Sequence, residues 1–143
     1  MHPAISVITL AVEDLDRAVH FYRDGLGWST PGVVGRDLPH GAVAFFALQG
    51  GLQLALWPRR SLLAETGLPD PGGLGGRTLI SHNVASPERV QSVLDRALQA
   101  GARCVRAPHE AFWGGRVAYF ADPDEHLWEV VWNPKFSGLM SVD

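Results

Sequence analysis

Ile5 to Val12 reads as a strand, in which Ile8, Leu10 and Val12 put large apolar groups on one face and Val7, Thr9 and Ala11 put smaller ones on the other. The period then lengthens. Leu15, Ala18, Val19 and Tyr22 recur at helical spacing behind Asp14, an N-capping residue type, so a helix of about ten residues is expected before Gly25 and Gly27. Ala42 to Leu48 and Leu52 to Trp57 read as a hairpin around Gln49-Gly50-Gly51, ended by Pro58. A short helix over Arg59 to Thr66 and a glycine- and proline-rich connector over Gly67 to Gly76 follow. The pattern then restarts. Leu79 to Val84 is a strand, Ser86 and Pro87 open a helix over Glu88 to Ala100, and Gly101 ends it. Ala102 to Arg106 is a short strand, and Arg116 to Ala121 with His126 to Trp132 make a closing hairpin around Asp122-Pro123-Asp124-Glu125.

The second run repeats the first. Val7 to Val12 and Leu79 to Val84 match 72 positions apart, as do the capping residues Asp14 and Ser86, and the hairpins Phe45 to Trp57 and Phe120 to Trp132 match 75 apart. A repeat of about 70 residues is too long for a solenoid unit and indicates an internally duplicated βαβββ module. The expected organisation is a single domain over 1–143, made of two halves (about 1–66 and 77–143) joined by the connector. The expected fold class is α+β, with tandem βαβββ modules forming a curled mixed sheet around a central cavity.

Composition narrows the partners. Hydrophobic residues at 46% are globular composition, and charged residues at 19% fall below the usual level of about 25%, which points to apolar surface hidden in a cavity or a subunit interface. Low charge and spare tryptophans lead us to expect a homodimer. Twelve basic residues against fifteen acidic ones give a net charge of −3, with no basic stripe to hold nucleic acid. No apolar run is long enough for a membrane span and no signal-peptide pattern opens the chain, so a cytoplasmic protein is expected. The single cysteine, Cys104, excludes an internal disulfide and fits a reducing compartment. Alternation sets it on the opposite strand face from Arg103. The glycine-rich Gly72 to Gly76 stretch precedes a strand rather than a helix, so it is not a phosphate-cradling loop, and no serine elbow is present.

Two stretches resemble a known family. Val12-Glu13-Asp14-Leu15 leads into Phe21-Tyr22 and Gly25-Leu26-Gly27-Trp28. Phe112-Trp113-Gly114-Gly115 leads into the run from Tyr119 to Glu129 and then Asn133-Pro134. In this order and spacing they resemble the vicinal oxygen chelate superfamily, which contains glyoxalase I, bleomycin-resistance proteins and extradiol dioxygenases. The resemblance covers nearly the whole chain. It implies a divalent metal held by two ligands from the opening strands of the halves and two from the closing strands, leaving coordination positions where substrate oxygens chelate. Carried onto this chain, those positions fall on Val7, Leu79, Leu54 (or Ala55 if the hairpin offset is one shorter) and Glu129. Only Glu129 matches a ligand type, and a single carboxylate does not hold such a metal tightly. The resemblance also implies glycine where Glu125 stands, and a positive φ there would cost glutamate about 1 kcal/mol or more.

Among the histidines, His82 shares a strand face with Ile80 and Val84 and is read as structural beneath the second helix. His20 lies on the first helix, and His40, His109 and His126 fall in or beside turns. A shifted metal site of Glu129 with His109 or His40 is the minor alternative. Parity gives an inward face of Val7, Thr9, Ala11, Leu79, Ser81, Asn83, Leu127, Glu129 and Val131, mostly apolar with a few polar groups, as in a small-molecule pocket. Trp113 sits on a glycine loop with no apolar run to bury it, and Trp28 and Trp57 are expected near the pocket mouth. Such rings stack on flat ligands. The expected ligand-binding set is therefore Val7, Thr9, Leu79, Ser81, Asn83, Trp113 and Glu129, with no metal ligands and Glu129 as the candidate catalytic group. The function these expectations favour is a small-molecule-binding protein without a cofactor, sequestering an apolar or aromatic ligand. The alternatives are a glyoxalase-like lyase or isomerase, or a dioxygenase-type enzyme, using Glu129 with or without a divalent metal, and a structural partner domain with no cavity.

Overall fold

A computed structural model describes residues 1, 3, 5, 7–70, 72 and 78–135. The chain divides into two compact units, Met1–Gly72 and Gly73–Asp143. Most of the connector expected over Gly67 to Gly76, and everything after Lys135, lie outside the described residues.

The first unit holds β1 (Val7–Val12), α1 (Leu15–Val19), β2 (Val33–Val34), β3 (Val43–Ala47), β4 (Gln53–Pro58) and α2 (Arg59–Thr66). Its four strands form one mixed sheet in the order β1-β4-β3-β2. Asp14 caps α1 as its residue type predicts, its carboxylate accepting from the Arg17 amide at 3.0 Å. The helix does not run on for ten residues as an α-helix. From His20 to Gly25 it widens into a π turn, closed by the Leu26 amide donating to the Phe21 carbonyl at 2.9 Å. Phe21 and Tyr22 are both fully buried. Tyr22 meets Phe21 edge-on at 4.9 Å, Trp28 at 5.6 Å and Phe46 at 5.9 Å between ring centroids. Trp28 is half-buried, and its ring packs against both Tyr22 and Phe46.

The second unit holds β5 (Leu79–Asn83), α3 (Pro87–Gln99), β6 (Arg103–Glu110), β7 (Arg116–Ala121) and β8 (Leu127–Trp132). Its sheet runs β5-β8-β7-β6, again mixed. Val90, Leu94 and Ala97 of α3 are buried together with Phe120, Trp128 and Val130 of the sheet. Phe120 and Trp128 stack with nearly parallel rings 6.1 Å apart. Ser86 occupies the N-cap position of α3 but makes no side-chain bond to the helix amides. Its hydroxyl bonds the Glu88 carboxylate, which with the Glu88 backbone amide holds that carboxyl below its ordinary range. The strand expected over Ala102 to Arg106 runs on to Glu110 with two register shifts, so His109 lies next to the strand's end, beside the turn that follows.

Among the described residues the architecture is α+β, with two four-stranded mixed sheets and no closed barrel. In each unit the opening strand pairs parallel with the closing one, Val7 with Gln53 and Leu79 with Leu127. These registers correct the alignment of the halves: Ala55, not Leu54, is the counterpart of Glu129. The closing turn behaves as its residues imply. The buried Asp122 carboxylate accepts from the amides of Asp124 at 2.9 Å and His126 at 2.8 Å, and Glu125 takes a φ of 65°.

Candidate functional site

Strand pairing lines up four side chains across the second sheet. Ser81 on β5 pairs with Glu129 on β8, Glu129 with Tyr119 on β7, and Tyr119 with Arg106 on β6. Residues paired in this way share one face. The row is linked by hydrogen bonds: the Ser81 hydroxyl donates to Glu129 Oε2 at 2.7 Å, and the Tyr119 hydroxyl to Glu129 Oε1 at 3.0 Å. Burial pushes the Tyr119 phenol above its ordinary value, the bond to Glu129 pushes the same way, and the charge of Arg106 opposes them. The His109 ring lies 6.1 Å from that of Tyr119, and its Nδ1 sits 2.9 Å from the Ala107 carbonyl oxygen.

The same positions in the first sheet are occupied differently. Thr9 pairs with Ala55, and Ala55 with Phe45. Where the second half has a carboxylate and a phenol, the first has a methyl and a bare ring. This face is dished into a hollow of about 320 Å³ lined by Thr9, His40, Gly41, Val43, Phe45, Ala55 and Trp57. One wall is a tight loop from Gly35 to Gly41, closed by the Leu38 amide donating to the Gly35 carbonyl at 3.1 Å and the Gly41 amide to the Leu38 carbonyl at 3.0 Å. Gly35, at φ +75°, runs so close to the Gly41 carbonyl that a Cβ would overlap it. His40 itself is held at φ 56°, and its carbonyl accepts from the Trp57 indole N–H at 2.8 Å. That bond fixes the indole against the hollow.

Of the expected ligand-binding residues, Ser81 and Glu129 fall in the linked row, and Thr9 lines the first hollow. Val7 and Leu79 lie one pleat further along the same faces and are exposed, and Asn83 is half-buried at the far end of β5. Trp113 is not brought to the row; its indole covers Gly115. Arg116 lies away from Glu129 as well, beside Glu88, Glu110 and Trp132 in a separate hollow of about 500 Å³. Tyr119 escaped the sequence reading as a site residue, although strand parity from Val117 would have set it on the Glu129 face, and His109 entered it only as a partner of Glu129 in a shifted metal site.

A family model described as the Glyoxalase/Bleomycin resistance protein/Dioxygenase superfamily matches residues 4–130. The chain belongs to this superfamily. Among solved structures it is similar to a glyoxalase-related enzyme from Fulvimarina pelagi, with 31% identity and a TM-score of 0.79, covering 92% of this chain and 89% of that one. It also resembles a glyoxalase/bleomycin resistance protein/dioxygenase from Nocardioides, at 26% identity and a TM-score of 0.73, covering 100% and 91% of the two chains. A genomically encoded fosfomycin resistance protein from Listeria monocytogenes shares the fold at 22% identity and a TM-score of 0.68, over 97% of this chain and 100% of that one. A curated relative, the uncharacterized protein YraH of Bacillus subtilis (strain 168), is 28% identical over 127 residues, 86% of this chain and 93% of its own.

The metal that the superfamily resemblance implies does not fit the donor set here. Val7, Leu79 and Ala55 end in hydrocarbon, and both oxygens of Glu129 already accept hydroxyl protons. Among the described residues no three His, Cys, Asp or Glu side chains cluster closely enough to hold an ion. No described helix is long and apolar enough to cross a membrane.

Proposed function

We propose that this superfamily member is a small-molecule-binding protein of the glyoxalase/bleomycin-resistance type that takes an apolar or aromatic ligand without a metal. One observation carries the reading: the sheet rows keep a shaped, partly apolar face while three of the four chelating positions hold hydrocarbon and the fourth is tied to two hydroxyls. The first hollow, walled by Val43, Phe45, Ala55 and Trp57, is near the lower end of the roughly 300–1,000 Å³ typical of ligand pockets. Mass spectrometry of small molecules that co-purify, with metal analysis of the same sample, tests the reading. We expect an organic ligand, divalent metal well below one equivalent, and no rise in Tm with Ni, Zn, Mn or Fe(II). A specific metal at about one hundred times its Kd stabilises by about 2.7 kcal/mol, so a Tm rise of that size overturns the reading.

The Tyr119–Glu129 hydrogen bond supports a second reading, an isomerase or lyase in which Glu129 moves a proton. Glu129→Gln separates the two, abolishing turnover in an enzyme and leaving a turnover-free binder no rate to lose. We further propose a cytoplasmic homodimer, on the low charge and on the fully exposed Phe112. Light scattering at micromolar concentration should give two chain masses.

A further inference from the structure

We infer that the second half's face is wired to accept hydrogen bonds, so its ligand is an apolar or aromatic molecule bearing a protonated amine or a comparable N–H donor. The inference rests on the binding reading above and names the polar group that a ligand on this face carries. A carboxylate oxygen accepts and cannot donate, so the protons in the contacts at 2.7 and 3.0 Å belong to Ser81 and Tyr119. Each hydroxyl has one proton, and each has spent it on Glu129. What the two hydroxyls offer a ligand is lone pairs.

His109 adds to the same pattern. The Ala107 carbonyl can only accept, so Nδ1 carries the ring proton and Nε2 of the neutral ring is an acceptor. Ser81, Glu129, Tyr119 and His109 thus provide acceptors on neighbouring strands. Arg106, paired with Tyr119 on the edge strand, is the one cation of the row and the natural partner of a rival, anionic ligand. The matching row of the first half, Thr9, Ala55 and Phe45, has no carboxylate, so the preference belongs to the second half alone.

Calorimetric titration of the full chain with 1-naphthylmethylamine, 1-naphthylmethanol and 1-naphthoate tests this, since the three share a ring and differ in polar end. The amine should bind at least ten-fold more tightly than either of the others. Glu129→Gln, which keeps the shape, should erase that preference, and Tyr119→Phe and Ser81→Ala should each reduce it several-fold. Equal binding of all three probes, or tightest binding of naphthoate, leaves the binding reading standing and overturns the inference. A preference that survives Glu129→Gln also overturns it. Absence of binding by every probe at millimolar concentration overturns the binding reading, and the inference falls with it. Zinc chloride alone binding below micromolar, and lost in Glu129→Gln, overturns both.

Discussion

The two halves place chemically opposite rows on the same scaffold. Thr9, Ala55 and Phe45 stand where Ser81, Glu129 and Tyr119 stand, at matching registers of two sheets with the same strand order. The first row surrounds a hollow edged by an indole, and the second is a chain of hydrogen bonds on a half-exposed face. The scaffold constrains the buried side of each sheet, where Phe46 and Leu54 answer Phe120 and Trp128. The opposite side is free to diverge, because its side chains set what the sheet meets and not whether the sheet forms.

Exchanging the rows tests this most severely. Ala55→Glu imports the second half's carboxylate into a position only 2% exposed, with no hydroxyl on Phe45 to receive it. It should cost about 2–3 kcal/mol in urea unfolding and fill the hollow, reducing binding of an aromatic probe more than ten-fold. The reverse change, Glu129→Ala, should cost under about 1 kcal/mol, because Ser81 and Tyr119 can turn their hydroxyls to water. Equal losses for the two variants would mean that both faces are structural.

A smaller effect is spectroscopic. Tyr119 should ionise above the ordinary tyrosine range when followed by absorbance, and its raised value makes its contribution to stability complete below the unfolded pKa and lost as pH climbs through the folded one. Glu129→Gln should bring the phenol part of the way down, not all the way, because burial is the larger cause.

The turns differ as the rows do, and here the expected effect is smallest. The first hairpin uses Gly50 and Gly51 for its positive φ, whereas the second forces Glu125 to 65°. Glu125→Gly should relieve about 1 kcal/mol of backbone strain and forfeit the exposed Arg103–Glu125 pair, which solvent screens. The hydrogen bond from Arg103 holds the Glu125 carboxyl below the usual range. The pair's contribution is therefore present above the unfolded pKa and lost as pH falls through the folded value. The gain from glycine should accordingly be larger near pH 3 than at pH 7 in paired thermal melts.

What the sequence made legible follows the physics of each signal. Alternation in β1 and β5, the Asp14 cap and the duplicated order give the fold, because burial on one face imposes them directly. The π turn left no trace, since its spacing differs from that of an α-helix by one residue over a single turn. Val33 and Val34 are too short to show a period. The bulges around Arg106 broke the alternation that would have carried His109 into β6. Matching Phe45 to Phe120 by ring type misplaced the hairpin by one position, when the ladder pairs Phe45 and Tyr119 with equivalent partners. Glu129 and Ser81 were legible from parity on the outer pair of strands. Tyr119 was not, because the reading did not extend to the middle strand.

The parallel pairing of first and last strands has a consequence for synthesis. Ser81 and Glu129 are adjacent in the sheet but 48 positions apart in the chain. A ribosome adding about 5–20 residues per second leaves β5 without its neighbour for several seconds, and β1 waits similarly for β4. Neither sheet can close until its last strand has emerged. Each half is therefore exposed as an incomplete edge during translation, and substitutions that hasten aggregation should act in that interval even where they leave the finished fold untouched.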